Sequence, residues 1–443
     1  MLAVLGALVA AAALTAASQP SARAAGHMTP GTADGAKFQA IGQPFGGPSG
    51  VVHFTCQLTS PAGCYGPDQI RAAYGVQPLL DKGFDGRGRT IGIVDAYGSP
   101  TLASDVAAFD SLWGLAPADL TIQAPFGIDK TTPANASGWA GETSLDVQWA
   151  HAIAPGAKIV LVVAKSNDDK DILDATEWLE NNTAADVLSQ SYGEAEACMD
   201  PTQFARQHRV FDAMSAKGIT LFASSGDQGA GIPTCTAGAP EYFKAASTPA
   251  SDPDVTGVGG TTLHADGTSG AYQSESTWNE SALFGDAVAG GGGVSIAFSR
   301  PDYQAPFVKD THAREVPDVS YNAAVYNGVI VVEGGRFYRF GGTSAGSPQW
   351  AALTAITDQI AGGRVGQINK TLYKLAKTPK ASSYFHDIAD GSTNSVPNFL
   401  ADETTPTTPI TGFTAVPGYD MATGLGTPIA SNLLPAIAKP GLG

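Results

Sequence analysis

Three short stretches of this chain hold residue types that could do chemistry together. Ser344 lies in Gly341-Gly342-Thr343-Ser344-Ala345-Gly346-Ser347-Pro348, just ahead of an apolar, helix-forming run at 349–360. A helix starting there puts Ser344 where free backbone N–H groups and the helix dipole favour developing negative charge. The glycines before it leave room for a substrate backbone, and Pro348 suits a first helical turn. This is a setting for a hydroxyl nucleophile; the alternative is an ordinary N-cap serine.

A serine nucleophile needs a base. The seven histidines are His27, His53, His151, His208, His264, His312 and His386, and none lies in an HGTH-like context. His151 reads as a capping or packing residue. Carboxylates are the other option. Glu142 and Asp146, in Gly141-Glu142-Thr143-Ser144-Leu145-Asp146, fall at i and i+4 on one helix face. The apolar neighbours Leu145, Val147, Trp149, Ala150 and Ile153 point to a helix packed into the body. Stacked like charges repel, so one acid should have a raised pKa or share a proton. Such a pair can serve as base and base-orienter in acid; a solvated acidic face is the plainer alternative. Asp227, in Ser224-Ser225-Gly226-Asp227-Gln228-Gly229, follows an apolar strand. Protonated, it could donate a hydrogen bond to an oxyanion; otherwise it is a turn-forming aspartate.

The elements that must position these residues follow an α/β rhythm from Pro67 onward. Strands are expected at 90–94, 158–163, 185–189 and 219–223, and helices at 101–113, 142–151, 171–181 and 203–216. The alternation predicts a doubly wound, mostly parallel sheet with helices on both faces. Functional loops then gather at the strands' carboxyl ends. Residues 25–60 read as an extended N-terminal arm and 61–443 as one α/β domain, with a polar, Thr/Pro/Gly-rich stretch at 389–418 forming a long structured loop.

Composition narrows the function classes. With 43% hydrophobic residues, the 443-residue chain can bury a sizeable core. Lys and Arg total 25 against 41 Asp and Glu, a net charge of −16. So acidic a chain is a poor binder of a phosphate backbone, and no nucleic-acid partner is expected. Residues 1–22 are uncharged and rich in Ala, Leu and Val, and Ala22-Arg23-Ala24 fits a small-x-small cleavage pattern. Residues 1–24 therefore read as a secretory signal, with secretion and no membrane association after its removal. The basic n-region is missing, consistent with a start further upstream. Cys56, Cys64, Cys198 and Cys235 are an even count in a chain read as secreted, which suggests disulfides. Three connectivities are possible; proximity favours Cys56–Cys64. The default oligomeric state is a monomer.

Together these motifs resemble the sedolisins, the serine-carboxyl peptidases, whose fold is similar to subtilisin but whose base is a glutamate. Their GTSxxxP motif matches Gly342 to Pro348, their ExxxD helix matches Glu142 and Asp146, and their SGD loop matches Ser225-Gly226-Asp227. The resemblance implies Ser344 as nucleophile, Glu142 as general base and acid, and Asp146 as its orienter. It implies Asp227 and the Ser344 backbone N–H as the oxyanion hole. Ser189-Gln190-Ser191-Tyr192-Gly193 resembles the SxSWG substrate-lining strand, with Tyr in place of the frequent Trp, which makes Ser191, Tyr192 and Gly193 substrate-binding candidates. Stretches 249–261 and 316–320 also fit, so the likeness runs from about Tyr65 to Pro428. Implied substrates are polypeptides, with endopeptidase action favoured over tripeptidyl release.

A second resemblance lies near the C-terminus. Residues 385–388 and 416–420, followed by Thr423-Gly424-Leu425-Gly426, look like the family's calcium site. It implies one structural Ca2+ held by the carboxylates of Asp387 and Asp420 and the carbonyls of Ile388, Val416 and Gly418, an oxygen-only set that suits this ion. One departure concerns the N-terminal side: sedolisins usually carry a long folded propeptide, whereas only residues 25–60 precede the match. Two other classes remain in view. A histidine-based peptidase could use Asp95 in Asp95-Ala96-Tyr97-Gly98 and would work best at neutral or alkaline pH. A secreted binding protein on the same fold would be indifferent to Ser344→Ala.

Overall fold

Two apolar runs frame the central sheet. The computed structural model describes residues 37–46, 52–235, 239–309, 311–400 and 404–439; the expected signal, 1–24, lies outside them. Strands β2 (Thr90–Ala96) and β4 (Lys158–Ala164) pair in parallel along seven residues each. Side chains alternate across a strand, and both faces here are buried. Ile91, Ile93, Ile159, Leu161 and Val163 enter one hydrophobic cluster, while Val94, Ala96, Val160, Val162 and Ala164 enter another. This two-sided burial is why the strands read as continuous apolar runs rather than alternating ones.

The remaining strands of this sheet are β3 (Asp119–Gln123), β5 (Val187–Gln190), β6 (Thr220–Ser224), β7 (Val255–Ala265), β8 (Tyr272–Thr277) and β9 (Val319–Asn322). The spatial order is β8-β7-β6-β5-β2-β4-β3, with β9 pairing β7 to complete eight strands. Only β8 runs antiparallel to its neighbour. On one face, α2 (Pro133–Ile153) and α5 (Gly346–Ala361) contribute Trp149 and Trp350 to the first cluster. On the other face, α3 (Asp169–Asn182) and α4 (Pro201–Ala216) bring Leu179, Phe211 and Met214 to the second. Helix α1 (Leu102–Trp113) packs beside α2. The observed strand and helix limits fall within about two residues of expectation for most elements, as the apolar periodicity allows.

Helix α2 is the exception. It extends nine residues before Glu142, from Pro133, where proline is tolerated at the first helical turn. A hairpin of β10 (Gly328–Glu333) and β11 (Arg336–Phe340), turned by Gly334-Gly335, lies beyond the main sheet. On β11 the chain's own arm adds a short antiparallel strand, β1 (Phe38–Ala40). Disulfides join Cys56 to Cys64 and Cys198 to Cys235. Among the described residues, no helix is long and apolar enough to cross a membrane.

Candidate active site

The two acids of α2 are held inside the protein. Glu142 is 1% exposed and Asp146 fully buried, which removes the solvated-face alternative. The helix is fixed by a polar clamp one and two turns on. The Gln148 amide donates to the Val332 carbonyl (2.7 Å) and accepts from the Val332 N–H (2.9 Å). The Trp149 indole N–H donates to Ile330 O (3.0 Å). These bonds lock α2 against β10, so its acids inherit the precision of the core.

Ser344 occupies a one-turn 3-10 helix, Thr343–Ala345, which feeds directly into α5 and packs on α2. The N-cap of α5 is Ala345, and no side chain caps it; Ser344 is therefore not the N-cap serine that the motif alone allows. Gly342 has φ +118°, in the region that favours glycine. Gly341 serves a different purpose from the expected one. A Cβ there would stand 2.5 Å from Ala323 O, so the close approach it permits is to the chain's own backbone after β9.

The other residues arrive from the carboxyl ends of neighbouring strands. After β5, the Ser191 hydroxyl donates to Asp146 Oδ1 (2.9 Å) and lies 3.3 Å from the Ser344 carbonyl. Expected to line the substrate cleft, the Ser191 side chain instead is 1% exposed and ties the acid helix to the nucleophile turn. Tyr192 and Gly193 are placed differently. They line a depression with Trp139, Ile172, Met199 and Pro249, which also carries Asp169 and Glu194. Burial and the neighbouring Asp169 push the Glu194 carboxyl up to about 9.

After β6, Gly226 adopts φ +111° and swings Asp227 towards the nucleophile turn. Asp227 Oδ1 accepts from both the backbone N–H and the hydroxyl of Thr343, each at 2.8 Å. The Gly226 N–H donates to the Thr343 hydroxyl oxygen (3.1 Å). Asp146 and Asp227 are thus tied to the turn that carries Ser344 through the hydrogen bonds of Ser191 and Thr343, and Glu142 stands beside Asp146 on α2.

A fifth residue joins them. Asp95, at the carboxyl end of β2, is fully buried. Burial pushes its carboxyl up to about 7, eased by the facing Thr143 hydroxyl. Asp146 is held well above the usual carboxylate range, by burial first and then by the charges of Asp95 and Glu142; the Ser191 hydrogen bond acts the other way. Three buried carboxyls this close cannot all ionise, so they share protons. Sequence reasoning noticed Asp95 only as a partner for a histidine. The better signal was an acid ending a strand that is otherwise apolar. Three of the histidines engage elsewhere: His151 Nε2 lies 3.2 Å from Asp110, His208 Nδ1 lies 2.8 Å from Asp252, and His386 stacks on Tyr272.

The two segments expected to hold calcium are bonded to one another. The Gly418 N–H donates to Asp387 Oδ2 (2.9 Å), joining the two segments. Asp420 accepts the Val416 N–H (2.9 Å) on one oxygen and the Ala422 and Thr423 N–H groups on the other. Two carboxylates and nearby carbonyls on facing loops make a donor set that fits a hard cation. Among the described residues, the one group of three or more His, Cys, Asp or Glu whose possible ligand atoms all lie within 4.8 Å of one another is a different one, His208, Asp252 and Asp254.

A buried serine and a set of buried carboxylates lie at the carboxyl ends of a mostly parallel sheet covered by helices on both faces, a subtilisin-like architecture. Comparisons with known proteins agree. The Subtilase family model matches residues 134–385. Kumamolisin of Bacillus sp. (strain MN-32) is 33% identical over 381 residues, covering 84% of this chain and 63% of that protein. Mouse tripeptidyl-peptidase 1 is 29% identical over 366 residues, covering 76% of this chain and 58% of that protein. The structure of Pseudomonas sedolisin, a serine-carboxyl proteinase complexed with pseudo-iodotyrostatin, superposes with a TM-score of 0.71 at 26% identity, covering 86% of this chain and all of that one. The chain belongs to the sedolisin family of the subtilase fold. It spans about three fifths of the length of these two curated relatives.

Proposed function

We propose that this protein is a secreted, acid-active serine-carboxyl peptidase. The observation that carries the reading is the buried Glu142–Asp146 pair packed against the Ser344 turn, with Asp227 bonded to the residue before the nucleophile. A polypeptide lies extended along Tyr192 and Gly193 and adds backbone hydrogen bonds there. Glu142 takes the Ser344 proton as Oγ attacks the scissile carbonyl. Asp227, protonated, and the Ser344 N–H donate to the oxyanion. Glu142 then passes its proton to the leaving amine, and water repeats the cycle on the acyl-enzyme. Asp146 keeps a proton between itself and Glu142, and Asp95 makes ionisation of both acids at once more costly.

Glu142 must be ionised and Asp227 neutral for the first step. Hydrolysis of an acid-denatured protein, followed from about pH 3 to about pH 8, should therefore be bell-shaped with its maximum in acid. A rate climbing toward neutrality would return a histidine to the site and reject the proposal. We propose endopeptidase action rather than tripeptidyl release, because extended binding along Tyr192 and Gly193 needs no free amino terminus. An N-acetylated peptide should be cut as readily as its free-amine twin; cleavage confined to the free amine would assign tripeptidyl release.

One structural Ca2+ is proposed, held by Asp387, Asp420 and the carbonyls of Ile388, Val416 and Gly418. It supplies charge neutralisation that pins the two loops together. Its binding energy adds to folding by mass action, about 2.7 kcal/mol at a hundredfold excess over Kd. Chelation should lower the thermal midpoint by several degrees, and Asp387→Asn should remove that response. An identical midpoint with and without chelator would exclude the ion.

A further inference from the structure

Beyond Asp227 in sheet order from Tyr192 and Gly193, the surface carries an exposed apolar ledge. Leu283, Phe284 and Tyr326 are 54%, 41% and 38% exposed. The Phe284 and Tyr326 rings meet edge to face with centroids 6.1 Å apart, and the Arg339 guanidinium lies over the Tyr326 ring at 4.1 Å. These side chains come from two segments: the short helix Ser281–Phe284 and the loop after β9.

A single partly buried carboxylate, Glu280, joins the two segments. Glu280 Oε2 accepts the Val325 N–H (2.7 Å) and the Trp278 indole N–H (2.9 Å), and Oε1 accepts the Tyr326 N–H (2.8 Å). The unit is then tied to the catalytic site at both ends. Through Val288 and Ala289 it reaches the oxyanion loop, where the Ala289 N–H donates to Asp227 O (2.9 Å). Through Ala323 it reaches the nucleophile turn, where the Gly342 N–H donates to Ala323 O (2.7 Å).

Sheet order decides which half of a substrate meets this ledge. Tyr192 and Gly193 follow β5, Asp227 follows β6, and the ledge comes from the segments after β8 and β9, both of which lie beyond β6 across β7. The oxyanion acid therefore stands between the substrate-lining strand and the ledge. A peptide whose acyl half lies on Tyr192 and Gly193 must send its leaving half toward Leu283, Phe284 and Tyr326. The ledge is exposed and its segments are bonded to both the Asp227 loop and the nucleophile turn, and apolar area left open at such a place is a binding feature.

We propose that Leu283, Phe284 and Tyr326 form a leaving-side subsite that takes a large apolar side chain within the first four residues after the scissile bond. The proposal rests on the peptidase reading above and adds its leaving-side specificity. The Glu280 cradle is a positioning element that keeps the ledge level with the oxyanion acid.

The test uses internally quenched peptides with a constant acyl half and Phe, Leu, Ala or Asp walked through the first four positions after the cut. At one of these positions, Phe or Leu should exceed Asp in kcat/KM by about tenfold, the weight of covering roughly 55 Å² of apolar surface. Phe284→Ser combined with Tyr326→Ser should bring that ratio to within about twofold of unity, while the ranking of residues before the bond stays as in the unaltered protein. A flat profile at all four positions, or a ratio that survives the double substitution, overturns the subsite. Should the double variant cleave nothing, Leu283→Asp decides the matter. An undiminished Phe-over-Asp ratio there overturns the subsite, and a ratio reduced at least threefold upholds it. Flat selectivity with brisk hydrolysis would leave the peptidase reading standing; no hydrolysis of any peptide by the unaltered protein would remove that reading instead.

Discussion

Glu142→Gln should abolish turnover, lowering kcat by about a thousandfold or more, with the fold intact. Glutamine matches glutamate in shape and stays hydrogen-bonding, but it cannot accept the Ser344 proton. A loss of that size is about 4 kcal/mol of transition-state stabilisation. The same substitution should not harm stability, and the sign can be worked out. Burial raises the carboxyls of both Asp146 and Asp95, Asp95 to about 7, and neighbouring charge raises Asp146 further. A group raised in the folded state stabilises fully below its unfolded pKa and loses that contribution as pH rises through its folded value. Removing the Glu142 charge removes one cause of the Asp146 shift, so less stability is lost on going from pH 4 to pH 7. Single-turnover kinetics together with thermal unfolding at both pH values check this. Retained turnover would end the assignment of Glu142 as base, and a lowered midpoint at pH 7 would contradict the charge argument.

Asp227 should show its role through two variants that differ in one atom group. Asp227→Ala removes the donor to the oxyanion and should cost about 10² to 10³ in kcat. It also leaves the Thr343 N–H and hydroxyl without their 2.8 Å acceptor, so part of the loss will be positional. Asp227→Asn separates the two effects. An amide oxygen can keep both Thr343 bonds while its NH2 donates at any pH. That variant should retain far more activity than the alanine, and its decline toward neutrality should be shallower. Equal losses in the two variants would mean that Asp227 only holds Thr343 in place.

Much of this architecture was legible in the sequence because its sheet is buried on both faces. Runs such as Ile159-Val160-Leu161-Val162-Val163 leave few alternatives to a central parallel strand, and the loops at their ends hold Asp227 and Ser191. What was not legible depends on partners distant in sequence. Nothing local says whether the Glu142–Asp146 face meets solvent or a wall; β10 and α5 decide that from about two hundred residues away. For the same reason Ser191 looked like a cleft residue. Its hydroxyl turns inward only because Asp146 and the Ser344 carbonyl stand there. The early turns of α2 were missed because the Pro133-Ala-Asn-Ala-Ser-Gly stretch has weak helical preference of its own. The hairpin of β10 and β11 was passed over although Gly334-Gly335 between apolar runs is a recognised turn signal.

The clamp that Gln148 and Trp149 place on β10 separates two kinds of freedom. The buried acids of α2 are set by contacts in the interior, made by a helix that is pinned by core residues. The side chains that face a substrate, Tyr192 on one side and Phe284 and Tyr326 on the other, sit in loops beyond the strand ends. Substitutions in those loops can therefore retune which peptides are chosen without disturbing how they are cut. The reverse does not hold: a change at Val332 or Gln148, remote from any substrate, shifts the helix that carries the base. In such a molecule, new preferences are gained at the rim, and a small displacement of the interior is felt by every substrate alike.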